Sequence, residues 1–175
     1  MKRYINPFDY AGQILTATKG GALLTTKADG VCNTMTIGWG TLGIEWNKNV
    51  FVAFVRGSRY TKSLLDKNPE FTVNLPLGSV DKNILKVCGT VSGREADKIA
   101  QLGLTLEAPD KISVPGIRQL PLTLECRVLY SQQQLPECAK DGSVLSHYDP
   151  NTTDIEAEYH TAYYAEIVSA YIIQD

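Results

Sequence analysis

The chain has 175 residues, 43% apolar and 21% charged, which is the size and balance of one folded domain and excludes a disordered protein. Its 17 Lys and Arg against 19 Asp and Glu give a formal charge of −2, too little positive charge for a nucleic-acid binder that works through phosphates. The charge is uneven, because residues 1–140 hold all 17 cations with 12 acids, while residues 141–175 hold 7 acids and no cation.

The N-terminus, Met1-Lys2-Arg3-Tyr4-Ile5-Asn6-Pro7, has no apolar run behind its two cations, and no stretch is long enough to span a bilayer, so the expectation is a cytoplasmic protein without membrane contact. Residues 20–27 read as a strand closed by the turn Ala28-Asp29-Gly30. Residues 31–44 read as one long strand or a bent pair, followed by a turn at Trp46-Asn47-Lys48-Asn49. Val50 to Val55 is a continuous β-branched and aromatic run, as in a strand buried on both faces.

A helix is predicted from Ser58, an N-cap candidate, to Lys67, where Asn68-Pro69 stops it. A strand over 71–75 and a short apolar helix over 81–87 follow. Ser92-Gly93-Arg94-Glu95 fits a capping box that opens a helix to Leu102, with Gly103 after it. Residues 120–135 and 161–173 are long strands, with a shorter one near 143–148. Many strands and few helices, with no repeat or linker, predict a single mainly β domain over 1–175, a barrel or sandwich with helices over its ends. The acidic C-terminal segment contains Tyr163, Tyr164, Ile167, Val168, Tyr171, Ile172 and Ile173, so it packs. Either it lies against the cationic body, or the body uses its positive charge elsewhere.

Cys32, Cys88, Cys126 and Cys138 form no close ligand pair, and only His147 and His160 could assist, so no metal site is expected and the thiols are read as reduced. Cys32 and Cys126 sit in apolar runs and are assigned to the core. Gly38-Trp39-Gly40-Thr41-Leu42-Gly43 matches G-x-G-x-x-G, but a turn and another strand follow it where a dinucleotide site needs a helix. Its glycines instead let a strand bend and let something flat approach the backbone.

Arg56-Gly57-Ser58-Arg59-Tyr60-Thr61 is the strongest chemical constellation. Two guanidinium groups and two hydroxyls at the end of a buried strand, where a helix opens, suit a terminal phosphate. Lys62 adds a third cation. The alternative is an ordinary capped helix with surface arginines. Upstream, Asn33-Thr34-Met35-Thr36-Ile37-Gly38-Trp39 alternates polar and apolar side chains, which suits a flat heteroaromatic ring and equally suits a half-exposed strand.

Five segments in order then carry a resemblance. They are Asn33-Thr34-Met35-Thr36 with Trp39-Gly40; Arg56-x-Ser58-Arg59-Tyr60-Thr61; Phe71-Thr72-Val73-Asn74; Cys88-Gly89-Thr90-x-Ser92-Gly93-Arg94-x-x-Asp97-Lys98; and His160-x-x-Tyr163-x-x-Glu166-Ile167-Val168. Over about residues 12–173 the chain resembles the flavin reductase-like family, in its flavoredoxin type. The resemblance implies an FMN-binding split β-barrel, usually a homodimer with the flavin near the subunit interface. It implies that Asn33, Thr34, Met35, Thr36, Ile37 and Trp39 border the isoalloxazine and ribityl groups. Arg56, Ser58, Arg59 and Thr61 would hold the phosphate. Cys88, Ser92, Gly93, Asp97 and Lys98 would form a second flavin-side loop, with Lys98 a further phosphate partner. His160 would lie by the ring, as catalytic donor or as a packed strand histidine, with Tyr163 beside it, and Cys88 reads as structural more readily than as redox-active. Many relatives have Pro where this chain has Gly57, a looser residue expected to weaken cofactor retention.

The function so implied is hydride transfer from NADH or NADPH to FMN. The alternatives are an electron carrier reduced by a protein partner and a non-enzymatic barrel that binds another ligand.

Overall fold

The computed structural model describes residues 1–174, and Asp175, the last residue of the predicted domain, lies outside them. In chain order the elements are β1 (Lys2–Tyr4), a 3-10 turn (Pro7–Tyr10), α1 (Ala11–Gly20), β2 (Ala22–Ala28), β3 (Val31–Ile37), β4 (Gly40–Glu45), β5 (Lys48–Arg56), α2 (Tyr60–Leu65) and β6 (Glu70–Leu75). Then come α3 (Lys82–Thr90), α4 (Lys98–Gln101), β7 (Leu106–Glu107), β8 (Gly116–Ile117), β9 (Leu122–Gln133), 3-10 turns at Pro136–Cys138 and Gly142–His147, α5 (Ile155–Glu158) and β10 (His160–Ile173).

The main sheet is antiparallel in the order β3-β2-β6-β9-β10-β5-β4, with β1 added along the far part of β10. Its two end strands, β3 and β4, are consecutive in the chain and separated only by Gly38 and Trp39. The sheet must therefore curl until its end strands approach each other, which makes it a barrel left open, with no ladder between β3 and β4 among the described residues. The predicted strand over 31–44 is thus a bent pair whose members lie at opposite ends of the sheet. Gly40 is required there, since a Cβ would sit 2.5 Å from Phe51 Cζ. Trp46 and Asn47, both with positive φ, form the two-residue hairpin into β5.

The barrel interior holds Leu24, Met35, Phe51, Phe71, Val73, Leu122 and Leu124, with Ile14 of α1 as a plug. A second cluster of Leu23, Ile84, Cys88, Ile117 and Leu120 joins α3 to the outside of β2. Glu125, fully buried, accepts hydrogen bonds from the Asp110 and Lys111 backbone N–H groups, both at 2.7 Å, and from Tyr171 Oη at 3.0 Å. Glu125→Ala would leave the buried Tyr171 hydroxyl and two part-buried backbone N–H groups without their acceptor, so it is expected to cost about 2–4 kcal/mol, read as a fall in the denaturant midpoint.

Several expectations are corrected. Residues 143–148 are not a strand; Asp141 accepts from the Ser143 N–H and turns the chain into a 3-10 helix. The capping box at Ser92 does not open a helix: Ser92 Oγ accepts from the Arg94 N–H in a turn, and Asp97 caps α4 instead. Arg59, not Ser58, is the N-cap of α2, without a side-chain bond. Cys32 is half-buried rather than core, while Cys126 is fully buried. The helix α1, the strand β1 and the small hairpin of β7 and β8 were not predicted. Among the described residues, no helix is long and apolar enough to cross a membrane.

Candidate functional site

Most of the candidate residues converge on two adjoining hollows at one end of the barrel. The smaller, about 120 Å³, is lined by Asn33 and Met35 of β3, Ser58, Arg59 and Thr61 at the start of α2, Cys88 of α3, Ser92 and Gly93 of the following turn, and Lys98 of α4. Asn33 Nδ2 donates to Thr61 Oγ1 at 2.9 Å and ties β3 to α2. Gly93 packs on the same Asn33, where a Cβ would lie 2.1 Å from Oδ1, so no other residue fits. Arg94 rests 5.1 Å from the Tyr60 ring centroid and donates to the Ser58 carbonyl at 3.2 Å, which fixes the 92–94 turn against the 56–60 loop.

Among the described residues no carboxylate lines this hollow, yet two cations do. Arg59 makes one long bond, 3.4 Å, to the Gly89 carbonyl. Lys98 is only 4% exposed, and among the described residues its Nζ makes no hydrogen bond or ion pair. Burial lowers the Lys98 pKa, and the Arg59 charge adds to the effect. The side chain is buried while its ammonium faces the hollow, so a partly desolvated charge without a counter-ion costs stability. The arrangement fits an anion that would supply the missing charge and the missing acceptors. Cys88 is part of the wall of the hollow, and burial raises its thiol pKa, which favours the neutral thiol.

The second hollow, about 320 Å³, continues from Met35 and Arg59 along Thr36, Ile37, Gly38 and Trp39 to Phe54, Arg56 and His160. Met35 and Ile37 belong to the barrel core and form its floor. Trp39 is 43% exposed, a flat apolar face at the mouth, with the His160 ring 4.8 Å and the His147 ring 5.3 Å from it. Among the described residues the outer edge of β3 has no strand partner, so its backbone groups remain available to a polar ring edge.

Thr34 and Asp97 do not join this constellation. Thr34 is buried in the sheet, paired with Thr25 at 3.0 Å, and the Asp97 carboxylate caps α4 through the Ile99 and Ala100 N–H groups. Tyr163 is also turned away from the hollows, with its hydroxyl donated to Asp66 at 2.6 Å. Lys62, expected in the cationic cluster, pairs with Asp66 at 2.7 Å.

Arg56 has a different task from the one its sequence suggests. The acidic residues 134–159 between β9 and β10 fold as a strap over the Arg56 loop. Arg56 Nη1 binds Glu158 Oε1 and Nη2 binds the His147 carbonyl, both at 3.0 Å, and the guanidinium lies 5.6 Å from the Tyr148 ring centroid. The strap also takes the Gly57 N–H at the Tyr159 carbonyl and the Ser58 N–H at the Ala157 carbonyl. A Cβ at position 57 would sit 1.7 Å from the Glu156 carbonyl oxygen. Gly57 is therefore a tight docking point, not the loosened link expected from the sequence. The charge asymmetry of the chain is answered here and at Lys48–Glu166, 2.8 Å: the acidic part lies against the cationic body.

Burial pushes the His160 pKa down to about 4, and Arg56 and Arg59 push the same way against Glu158. Because this value lies below the unfolded one, near 6.5, the unfolded chain binds the proton more tightly. The His160 contribution to stability is then complete above about pH 6.5 and is lost as the pH falls toward 4. Thermal melts across that range should show the loss, and His160→Gln should remove that part of the slope.

Sequence reasoning missed Phe54, Gln134, Tyr148 and Glu158 around this site. Phe54 was visible only as part of an apolar run. The other three belong to the strap, where no spacing rule links them to β5 across as many as 102 residues. Among the described residues, no three His, Cys, Asp or Glu side chains converge to hold a metal ion.

The family model described as "Flavin reductase like domain" matches residues 16–175. An uncharacterized protein from Archaeoglobus fulgidus is 35% identical over 97 residues, 55% of this chain and 54% of that protein, so the match spans about half the length of this curated relative. Among solved structures, flavoredoxin from Methanosarcina acetivorans is similar at 24% identity and a TM-score of 0.66, covering 88% of this chain and 68% of that one. A protein with a split barrel domain from Shewanella frigidimarina is similar at 14% identity and a TM-score of 0.66, covering 98% and 76%. The barrel is thus of the split-barrel kind.

Proposed function

The chain belongs to the flavin reductase like domain family, and on that premise we propose that it binds FMN and accepts hydride equivalents from NADH or NADPH. The observation that carries the reading is a hollow in which, among the described residues, no acid faces Arg59 and the buried Lys98 side chain has no partner, and which opens onto an aromatic cleft along the same strand. In this reading Arg59 and Lys98 hold the phosphate with Ser58 and Ser92. Trp39, Thr36 and the β3 edge orient the flat ring, while Met35 and Ile37 exclude water beneath it. When bound, FMN supplies the two-electron chemistry, with hydride arriving from a reduced nicotinamide. A neighbouring hollow of about 330 Å³, lined by Leu15, Lys19, Trp39, Phe54 and Gln134, leaves room for that donor beside the cleft.

The test is anaerobic stopped-flow bleaching of the flavin-loaded protein by NADH and by NADPH. Rapid, saturable bleaching by one of them is expected. A flavin that binds but bleaches no faster than free FMN would make the protein a carrier reduced by a protein partner, as the likeness to a flavoredoxin also suggests.

We also propose a homodimer. Trp46, Tyr130 and Tyr164 form an aromatic cluster on the outer face of β4, β5, β9 and β10, with ring centroids 5.6–6.2 Å apart, and Trp46 and Tyr130 are about half exposed. Ile44, 73% exposed, extends this apolar face. Sedimentation equilibrium should give twice the chain mass, and the chain mass alone at micromolar concentration would refute the dimer.

A further inference from the structure

Two hydrogen bonds behind the cleft determine which nitrogen of His160 carries its proton. Tyr148 Oη lies 3.0 Å from His160 Nδ1 and donates to Gln134 Oε1, also at 3.0 Å. Tyr148 is held in place by a stack with Tyr159, ring centroids 4.0 Å apart, and by the Arg56 guanidinium on the strap. The Gln134 backbone N–H donates to the His160 carbonyl at 2.9 Å, which keeps the side chains of 134 and 160 together.

A hydroxyl has one proton. Gln134 presents a carbonyl oxygen, which only accepts, so the Tyr148 proton goes to it. The Tyr148 oxygen is then an acceptor for His160, and Nδ1 must bear the ring hydrogen. In a neutral imidazole the other nitrogen is bare. The charged groups around the ring favour the neutral form: Arg56 and Arg59 oppose an imidazolium, as does His147, while Glu158 is already committed to Arg56 and to the Asp149 N–H. Among the described residues His160 Nε2 has no protein partner, and the ring lines the cleft.

We propose that Tyr148 and Gln134 are positioning residues that hold the His160 proton on Nδ1, so that Nε2 faces the cleft as a hydrogen-bond acceptor for a neutral N–H donor of the imide or carboxamide class. His160 is then neither a proton donor to the ligand nor a counter-charge to an anionic ring edge; it selects for a donor group on whatever flat molecule lies against Trp39. The identity of that molecule rests on the flavin reading, but the proton placement does not.

The experiment is a long-range 1H–15N correlation spectrum of the 15N-labelled, flavin-free protein at pH 7, in which only His147 and His160 contribute and His147→Gln assigns them. The proton is expected on Nδ1 in the wild type. Tyr148→Phe removes its acceptor, and Gln134→Leu frees the Tyr148 proton to turn toward Nδ1, so both variants should move the ring hydrogen to Nε2 in most molecules. Gln134→Glu, which can still only accept, should leave it on Nδ1. An Nε2–H or doubly protonated His160 in the wild type, or an unmoved proton in both Tyr148→Phe and Gln134→Leu, would overturn the proposal. Because the spectrum is recorded without flavin, it passes or fails separately from the flavin titration that tests the function.

Discussion

Replacing Arg59 with Ala and Lys98 with Met together is expected to weaken FMN binding by about 10²–10⁴-fold and riboflavin binding by no more than about threefold. Each of the two cations would make charge-assisted hydrogen bonds to the phosphate, worth about 1.5–3 kcal/mol apiece, and 1.4 kcal/mol is a factor of ten. Riboflavin has no phosphate to lose them. The same double variant should melt higher than the wild type. Lys98 has a partly desolvated ammonium whose pKa is lowered, and a Met of similar length removes that cost. An anion site bought with stability is what this pairing of outcomes would reveal. Arg56→Ala should behave differently. It releases Glu158 and the His147 carbonyl, loosens the strap at the cleft, and weakens FMN and riboflavin alike. Fluorescence-quenching titrations of both flavins against the variants separate the two roles, and equal losses of FMN and riboflavin in the Arg59, Lys98 variant would misplace the phosphate.

Gly57→Pro is expected to lower Tm by roughly 5–15 °C, corresponding to about 2–4 kcal/mol. The ring would lose the N–H that binds the Tyr159 carbonyl and would place its Cβ where the Glu156 carbonyl oxygen sits, 1.7 Å away. Gly57→Ala keeps the N–H and suffers the clash alone, so it should fall short of the Pro variant. Limited proteolysis reads the same event locally, with cleavage between residues 134 and 159 rising sharply as the strap lifts. An unchanged Tm and unchanged cleavage in both variants would show that the strap does not depend on this contact.

The strands were legible where burial on both faces imposes an unbroken apolar run, as in Val50 to Val55, or where proline brackets it, as in Phe71 to Leu75. The helix α1 was not, because Thr16, Thr18 and the Gly20-Gly21 pair give it weak local preference; tertiary contact of Ile14 with the barrel core holds it. Residues 143–148 looked like a strand because Val144 and Leu145 are apolar, but both are exposed and the Asp141 and Ser146 side chains set a 3-10 turn, through the Ser143 N–H and the Ser143 carbonyl. The candidate site was legible in its residue types and only partly in their roles. Ser58, Arg59, Thr61, Ser92, Gly93 and Lys98 do meet around one hollow with Asn33. Arg56 could not be distinguished from Arg59 by sequence, since what separates them is Glu158, which reaches Arg56 only through the fold. Asp97 looked like a site residue for a similar reason: a carboxylate next to a lysine reads as chemistry until its oxygen is seen capping α4.

The most direct measurement is titration of flavin-free protein with FMN and with riboflavin, followed by the quenching of flavin fluorescence. Saturable quenching is expected, at one FMN per chain and with FMN bound at least tenfold more tightly than riboflavin, since the hollow around Arg59 and Lys98 adds to the ring cleft only for the phosphorylated flavin. No quenching by either flavin, or equal affinity for the two, would contradict the account.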